Sequence, residues 1–291
     1  MIRSMYSGIT GMKNFQTKLD VIGNNIANVN TYGFKKGRVM FKDMVSQTIS
    51  GASGPTNTKG GVNPKQVGLG SQLSAVDTDD TQGSLQPTGR VLDVGIQGDG
   101  YLMVSDGTNI WYTRAGNLYL SSEGNLITAS GQYVLSSNPD LELITNPDEN
   151  PTAAEIAEII ETSKIKLNDG NIDEIENLSI SEDGKISFIA GGVLNEGTEP
   201  QIGIARFANT GGLQKVGENM YQQTANSGSA TVMSPDSNGA GKLVSGTLEM
   251  SNVDLSEEFT EMIVAQRGFQ ANTRIITTSD EILQELLNIK R

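Results

Sequence analysis

The amino-acid sequence predicts an α+β fold in which two long terminal helices pair and an antiparallel β-rich domain lies between them in the chain. Three observations support this fold class. Apolar residues recur at coiled-coil spacing at both chain ends. Short apolar runs separated by glycine-bearing turns fill the middle. Residues 48–74 are polar, rich in glycine and without periodicity, which predicts an extended arm that joins the two parts.

The amino-terminal helix is predicted from a narrow apolar seam. Gly23, Asn24 and Asn25 are poor helix formers, so we expect the helix to weaken there and to stop between Asn28 and Gly33. The seam consists of two rows with seven-residue spacing, one of Met5, Met12, Leu19 and Ile26, and one of Phe15, Ile22 and Val29.

The carboxyl-terminal helix is predicted from about residue 255 to 289. Asp254 followed by Glu257 matches a capping box at its start. A helix with one narrow apolar stripe needs a partner, and both an intramolecular pair and packing between subunits would supply it. Gln266, Thr273 and Asp280 are polar seam positions that we expect to set the axial register. The apolar row consists of Leu255, Met262, Phe269, Ile276 and Leu283, extended by Phe259 and Leu287.

The predicted domains follow from these patterns. Residues 1–30 and 252–291 form a discontinuous helical domain, residues 31–75 the arm and residues 76–251 the β-rich domain. Within the latter, residues 138–183 hold thirteen acids against two lysines, which predicts a solvated face with a short helix over residues 151–161. The predicted hairpin turns are Gly98-Asp99-Gly100, Asp106-Gly107, Glu123-Gly124-Asn125, Asn168-Asp169-Gly170 and Asp183-Gly184.

Composition argues against catalysis. The chain has no histidine and no cysteine, so the usual proton-transfer side chain, thiolate nucleophile and zinc ligands are missing. The glycines of Gly95-Ile96-Gln97-Gly98-Asp99-Gly100 are in the wrong order for a dinucleotide site, and a strand follows them. The aspartates at 77, 79 and 80 lack the glycine and glutamate that a calcium loop needs. We therefore expect no enzyme activity, no metal and no cofactor.

Charge narrows the class of partner. The net charge is −13, which disfavours nucleic acid and anionic membranes. Residues 1–42 nevertheless carry seven basic side chains and one acid, and we favour complementarity to acidic neighbours in the same assembly over a tail for another anionic partner. No run of about 18 apolar residues predicts a membrane span. The amino end also lacks the apolar run and cleavage site of a secretory signal peptide.

Motifs along the chain resemble those of the flagellar rod and hook family. Residues 19–35, from Leu19 to the Tyr32-Gly33-Phe34-Lys35 stretch, are similar to its amino-terminal motif. Residues 248–255 and 262–267 resemble its carboxyl-terminal pattern, and residues 88–94 and 113–117 its central β-domain.

The resemblance implies a tube-forming structural protein. It implies an inner domain of paired terminal helices that lines the tube, an outer β-domain, and export as an unfolded chain without a cleavable signal, to an extracellular position in the bacterial flagellum. It favours the hook, a curved universal joint between rod and filament, with the distal rod as the alternative. The implied partners are further copies of the chain, the distal rod protein, the hook cap, the hook–filament junction protein and the flagellar export apparatus.

The candidate assembly interface combines both chain ends. Two other function classes stay open at this level, a non-flagellar binding module whose helices trap a partner and an acid-assisted hydrolase. The interface residues are Met5, Met12, Leu19, Ile22, Asn24, Asn25, Ile26, Tyr32, Phe34, Leu255, Phe259, Met262, Gln266, Phe269, Ile276, Leu283 and Leu287.

Overall fold

The α+β class is confirmed by the secondary structure. The computed structural model describes residues 2–56, 59–138, 140–141, 153–167, 175–190, 193–195, 201–237 and 239–289. The predicted turn at 168–170 and part of the acidic insert lie outside the described residues. In chain order the elements are α1 (Ile2–Ala27), β1 (Gly37–Asp43), β2 (Gln47–Ser50), β3 (Lys65–Val67), β4 (Ser71–Thr78), β5 (Leu85–Pro87), β6 (Val94–Gln97), β7 (Tyr101–Ser105), β8 (Ile110–Thr113), β9 (Leu118–Leu120), β10 (Leu126–Thr128), β11 (Tyr133–Val134), α2 (Ala153–Ser163), β12 (Ile175–Ile180), β13 (Ile186–Ala190), β14 (Val193–Asn195), β15 (Ile204–Arg206), β16 (Gln214–Gly217), β17 (Met220–Gln222), β18 (Thr231–Met233), β19 (Lys242–Ser245), β20 (Thr247–Glu249) and α3 (Leu255–Ile289).

The chain divides into two compact units. The helical unit consists of Met1–Ala27, Gly37–Asp79 and Val253–Arg291, and the β-rich unit of Asn28–Lys36 and Asp80–Asn252. Residues 37–75 of the predicted arm therefore group with the helices and contain four strands, whereas residues 31–36 group with the β-rich unit.

The strands of the helical unit form two ribbons. β1 pairs with β4 in antiparallel register, with Val39 opposite Val76, and β2 pairs with β3. The Asn14 side-chain amide donates to Ser71 Oγ over 2.8 Å and so ties the first ribbon to α1. The sequence predicts only an extended arm for residues 48–74, because the strands in this segment are held by ladder hydrogen bonds and carry no apolar alternation that would mark them.

Helix α3 begins at the predicted cap. Asp254 Oδ1 accepts hydrogen bonds from the backbone amides of Ser256 at 2.8 Å and Glu257 at 3.5 Å. These amides belong to the first turn and have no partner within the helix, so the carboxylate satisfies them and starts the helix at Leu255.

The β-rich unit is built around an antiparallel sheet whose strand order differs from the order of the strands in the chain. Its strand order is β16-β17-β8-β7-β11-β10-β9, with β15 pairing both β7 and β18. The predicted Asp106-Gly107 turn closes the β7–β8 hairpin, where Asp106 Oδ1 accepts from the Thr108 and Asn109 amides at 2.9 Å. Strand β7 is buried along its whole length because Leu102 and Val104 enter one apolar cluster and Tyr101 and Met103 the other.

Helix α2 covers the second of these clusters. Ile160 is fully buried in it, and Ile156 and Ile159 pack against it. Glu158 and Glu161 point to solvent from the same helix. The described part of the acidic insert thus contributes an apolar face to the core and an acidic face to the surface.

Three buried tyrosines predict a loss of stability in alkali. Burial raises the pKa of Tyr101, Tyr112 and Tyr221, and the neighbouring Asp80 adds to the rise at Tyr101 and Tyr221. A raised folded-state pKa means that the contribution of each group is complete below the unfolded value and is lost as pH rises above about 10. The free energy of unfolding should fall by about 1.4 kcal/mol per pH unit for each tyrosine in that window.

Urea unfolding followed by the fluorescence of Trp111, the single tryptophan, measures this dependence between pH 8 and 12. Burial lowers the pKa of Lys35 and Lys215, so these two lysines raise the free energy of unfolding as pH rises and oppose the effect of the tyrosines. Each variant is therefore compared with the unchanged protein at the same pH. Tyr112→Phe should reduce the alkaline slope. An unchanged slope in that variant would contradict the assignment.

Candidate assembly surfaces

Helices α1 and α3 lie antiparallel and approach closely at glycines. A Cβ atom on Gly8 would lie 3.3 Å from Ile276 Cγ1, and one on Gly268 would lie 2.5 Å from Phe15 Cζ. Small residues therefore let the Phe15 ring of one helix fit against the backbone of the other. An ion pair between Lys18 and Glu261 joins the helices further along.

The predicted interface residues on the two helices differ in how far they are buried. Ile22 is buried in α1, and the other residues of its rows are partly buried. On α3 the face toward α1 includes the buried Ala265 and Ser279. The partly buried seam residues are Met5, Met12, Leu19, Ile26, Met262, Phe269, Ile276 and Leu283. The predicted interface residues on these helices that are exposed are Asn24, Leu255, Phe259, Gln266 and Leu287.

Asn25 has a role that its low helix propensity did not reveal. It is 1 % exposed, donates from Nδ2 to Gly37 O at 2.9 Å and to Glu258 Oε1 at 3.2 Å, and accepts from Gly37 N at 2.9 Å. It therefore links α1 to the start of β1 and to α3. Because these tertiary hydrogen bonds offset the propensity cost, α1 continues through Gly23–Asn25 and ends at Ala27.

Tyr32 and Phe34 belong to the β-rich unit. Phe34 is buried with Lys215 Nζ 4.9 Å from its ring centre, while Tyr32 remains partly exposed and its carbonyl accepts from Asn219 Nδ2 at 2.9 Å. Gly33 between them has φ +68°, and a Cβ there would lie 2.7 Å from the Ala115 nitrogen. Only glycine fits this left-handed, crowded position.

The β-rich unit contains a buried charge cluster that no sequence pattern predicts. Glu249 is 1 % exposed, and its Oε1 accepts from Lys35 Nζ at 2.6 Å and from the Gly83 amide at 3.0 Å. Its Oε2 accepts from Arg114 Nη1 at 3.2 Å. Lys35 Nζ also donates to the Thr81 carbonyl at 2.9 Å. Glu249 thus holds together segments that are distant in the sequence.

The electrostatics of the cluster reflect its burial. Desolvation lowers the pKa of the Lys35 ammonium, the Arg114 charge acts in the same direction, and Glu249 opposes both. Lys35, Arg114 and Glu249 all lie in motifs that resemble the flagellar family, but no spacing rule indicates that these three side chains meet. Among the described residues no group of His, Cys, Asp or Glu has the arrangement to hold a metal ion.

Comparison with known families accounts for most of the chain. Residues 5–35 match the family described as flagella basal body rod protein, and residues 95–188 match the flagellar hook protein FlgE/F/G D1 domain. Residues 244–289 match the flagellar basal body rod FlgEFG protein C-terminal family. Over the part of the chain that the structure describes, no helix has the length and apolar character to cross a membrane.

Relatives match along the full length. The chain is 54 % identical to the flagellar basal-body rod protein FlgG of Bacillus subtilis (strain 168) over 296 positions, with all of both chains covered. It is 37 % identical to FlgG and 30 % identical to the flagellar hook protein FlgE of Borreliella burgdorferi, over 303 and 445 positions, again with all of both chains covered. The chain therefore belongs to the flagellar rod and hook protein family, whose members are structural subunits of the flagellar axis and not enzymes.

Proposed function

We propose that this chain is the subunit of the distal rod of the flagellar basal body. The observation that carries the proposal is its end-to-end similarity to the Bacillus subtilis rod protein, 54 % over an alignment of 296 positions for a chain of 291 residues. The alignment with the Borreliella hook protein extends over 445 positions, so that relative contains long segments without a counterpart here.

The hook is the second candidate. It was the main expectation from the sequence, and hook proteins of Borreliella and of Treponema pallidum are 30 % and 29 % identical across the chain. The lower identity and greater length of these relatives favour the rod.

In this proposal the helical unit makes the contacts between copies of the chain. The α1–α3 pair forms one building element, and the exposed seam residues Leu255, Phe259 and Leu287 contact other copies. Each large apolar side chain that becomes buried contributes about 1.5–3 kcal/mol, so a few such residues per subunit resist sliding within the tube. We further propose that the chain is exported from the cell and meets neighbouring axial proteins at both ends of the polymer.

Complementation in Bacillus subtilis tests the assignment. Expression of this chain in a strain that lacks its FlgG should restore flagella and swimming, with that organism's own FlgG as the positive control. Expression in a strain that lacks the hook protein should restore neither. Restored swimming in the hook-deficient strain, with none in the rod-deficient strain, would reverse the assignment.

Electron microscopy of the concentrated protein adds a second readout. A rod subunit should form straight tubes, whereas curved tubes would favour the hook.

A further inference from the structure

The β-rich unit contains a polar cavity of about 250 Å³ whose lining includes two acids and two arginines. The rings of Tyr101 and Phe207 form part of its wall. All of these residues belong to the β-rich unit, so a single copy of the chain holds the whole cavity. The proposed function assigns no role to it. The charged residues of the lining are Asp80, Asp99, Arg114 and Arg206.

Strand pairing brings one acid and one arginine together at the cavity. The predicted Gly98-Asp99-Gly100 turn leads into β7, and it places Asp99 at the start of that strand. Strand β15 pairs with β7 so that Ala205 lies opposite Tyr101. The antiparallel register therefore brings Arg206 next to the turn that carries Asp99.

Tyr101 contacts the other acid and the other arginine of the lining. Its hydroxyl donates to Asp80 Oδ1 at 3.1 Å, and Arg114 Cζ lies 5.2 Å from the centre of its ring. Arg114 is 3 % exposed and shares its counter-ion Glu249 with Lys35. Its Nε has no hydrogen-bond partner among the described residues. Because a buried donor without a partner is unfavourable, an acceptor atom of a bound molecule would be stabilised beside this arginine.

The charges of the lining indicate the chemical class of the ligand. Asp99 and Arg206 are exposed, and within the described parts of the chain neither side chain has a hydrogen bond or an ion pair. Two carboxylates and two guanidinium groups give the lining no net charge. A simple anion would meet two carboxylates here, and a cation would meet two guanidinium groups. A molecule that carries both charges finds a partner for each.

The volume of the cavity limits the ligand to a small molecule. A water molecule occupies about 30 Å³, so the cavity holds roughly eight waters, or a ligand with about that many non-hydrogen atoms. Free amino acids are of this size and carry both charges. Tyr101 and Phe207 offer ring surface to an apolar side chain, as is usual in ligand pockets.

We propose that this cavity binds a free amino acid, with its carboxylate toward Arg114 and Arg206 and its ammonium group toward Asp80 and Asp99. Guanidinium groups only donate hydrogen bonds and match a planar carboxylate, whereas ionised aspartates only accept and match an ammonium group. Loss of either charged group from the ligand should therefore weaken binding about tenfold or more. The inference goes beyond the proposed function and does not depend on it.

Equilibrium dialysis of the dilute full-length protein against radiolabelled L-leucine tests the ligand class. Unlabelled L-leucine should displace the label at least tenfold more effectively than 4-methylpentanoate, which lacks the ammonium group, or 3-methylbutylamine, which lacks the carboxylate. Glycine, tested in the same way, covers the smallest amino acid. Equal displacement by L-leucine and its two analogues, or no binding of either L-leucine or glycine, would overturn the proposal.

Substitutions in the lining test the location of the site. Arg206→Gln and Asp99→Asn should each lower the affinity for L-leucine at least tenfold. Lys185→Gln removes an exposed charge of the same unit outside the cavity and should leave the affinity unchanged. Urea unfolding followed by Trp111 fluorescence verifies that the variants are folded. Unchanged affinity in either cavity variant would contradict the assigned orientation and overturn the proposal, whatever the outcome of complementation in the rod-deficient strain.

Discussion

Glu249→Gln is expected to lower the free energy of unfolding of the β-rich unit by about 3–5 kcal/mol, the usual cost of removing one partner from a buried ion pair. The change keeps the shape of the side chain and removes its charge. Lys35 and Arg114, whose side chains are 1 % and 3 % exposed, would then share a buried space without their main counter-charge. Arg114 Nε has no hydrogen-bond partner among the described residues, and apart from Glu249 the guanidinium contacts the Tyr101 ring, whose centre is 5.2 Å from Arg114 Cζ.

Urea unfolding followed by Trp111 fluorescence measures this loss, since Trp111 lies on β8 in the same unit. The matched control is Glu182→Gln, which breaks an exposed ion pair with Lys242 and should cost at most about 1 kcal/mol. Adding Lys35→Met to Glu249→Gln should recover part of the stability, because it removes one unpaired cation. Strictly additive costs of the two changes would show that these charges are not coupled.

Ile276→Asp is expected to abolish polymer formation while the β-rich unit stays folded. Ile276 lies against Gly8 in the α1–α3 contact, where an aspartate would bring an unpaired charge into an apolar seam and lie one turn from Asp280. A cost of about 3 kcal/mol corresponds to a rise of roughly 100-fold in the critical concentration. Phe269→Ala should act in the same direction through lost burial.

Sedimentation and electron microscopy measure polymer in these variants, and Trp111 fluorescence reports the β-rich unit separately. Thr278→Asp, at an exposed position on the side of the helix away from α1, introduces the same charge outside the α1–α3 contact and should polymerise normally. Normal tubes from Ile276→Asp would refute the view that the helix pair is the building element of the polymer.

The periodic features of this protein could be predicted from its sequence. Seven-residue spacing of apolar side chains located both helices, because a helix turns through a constant angle per residue and such a row needs no knowledge of the rest of the chain. Asp254 and Glu257 located the start of α3, since capping involves only neighbours in the sequence. Turn residues such as Asp106-Gly107 located hairpins for the same local reason.

Only the tertiary structure revealed which residues meet across long separations in the chain. The Lys35–Glu249–Arg114 cluster and the hydrogen bonds of Asn25 join residues up to 233 positions apart, and no periodic pattern marks such pairs. Which apolar residues of α3 are covered by α1 and which stay exposed was also decided by the tertiary structure. Spacing places apolar residues on a helix, but only the position of the partner helix determines which of them are removed from water.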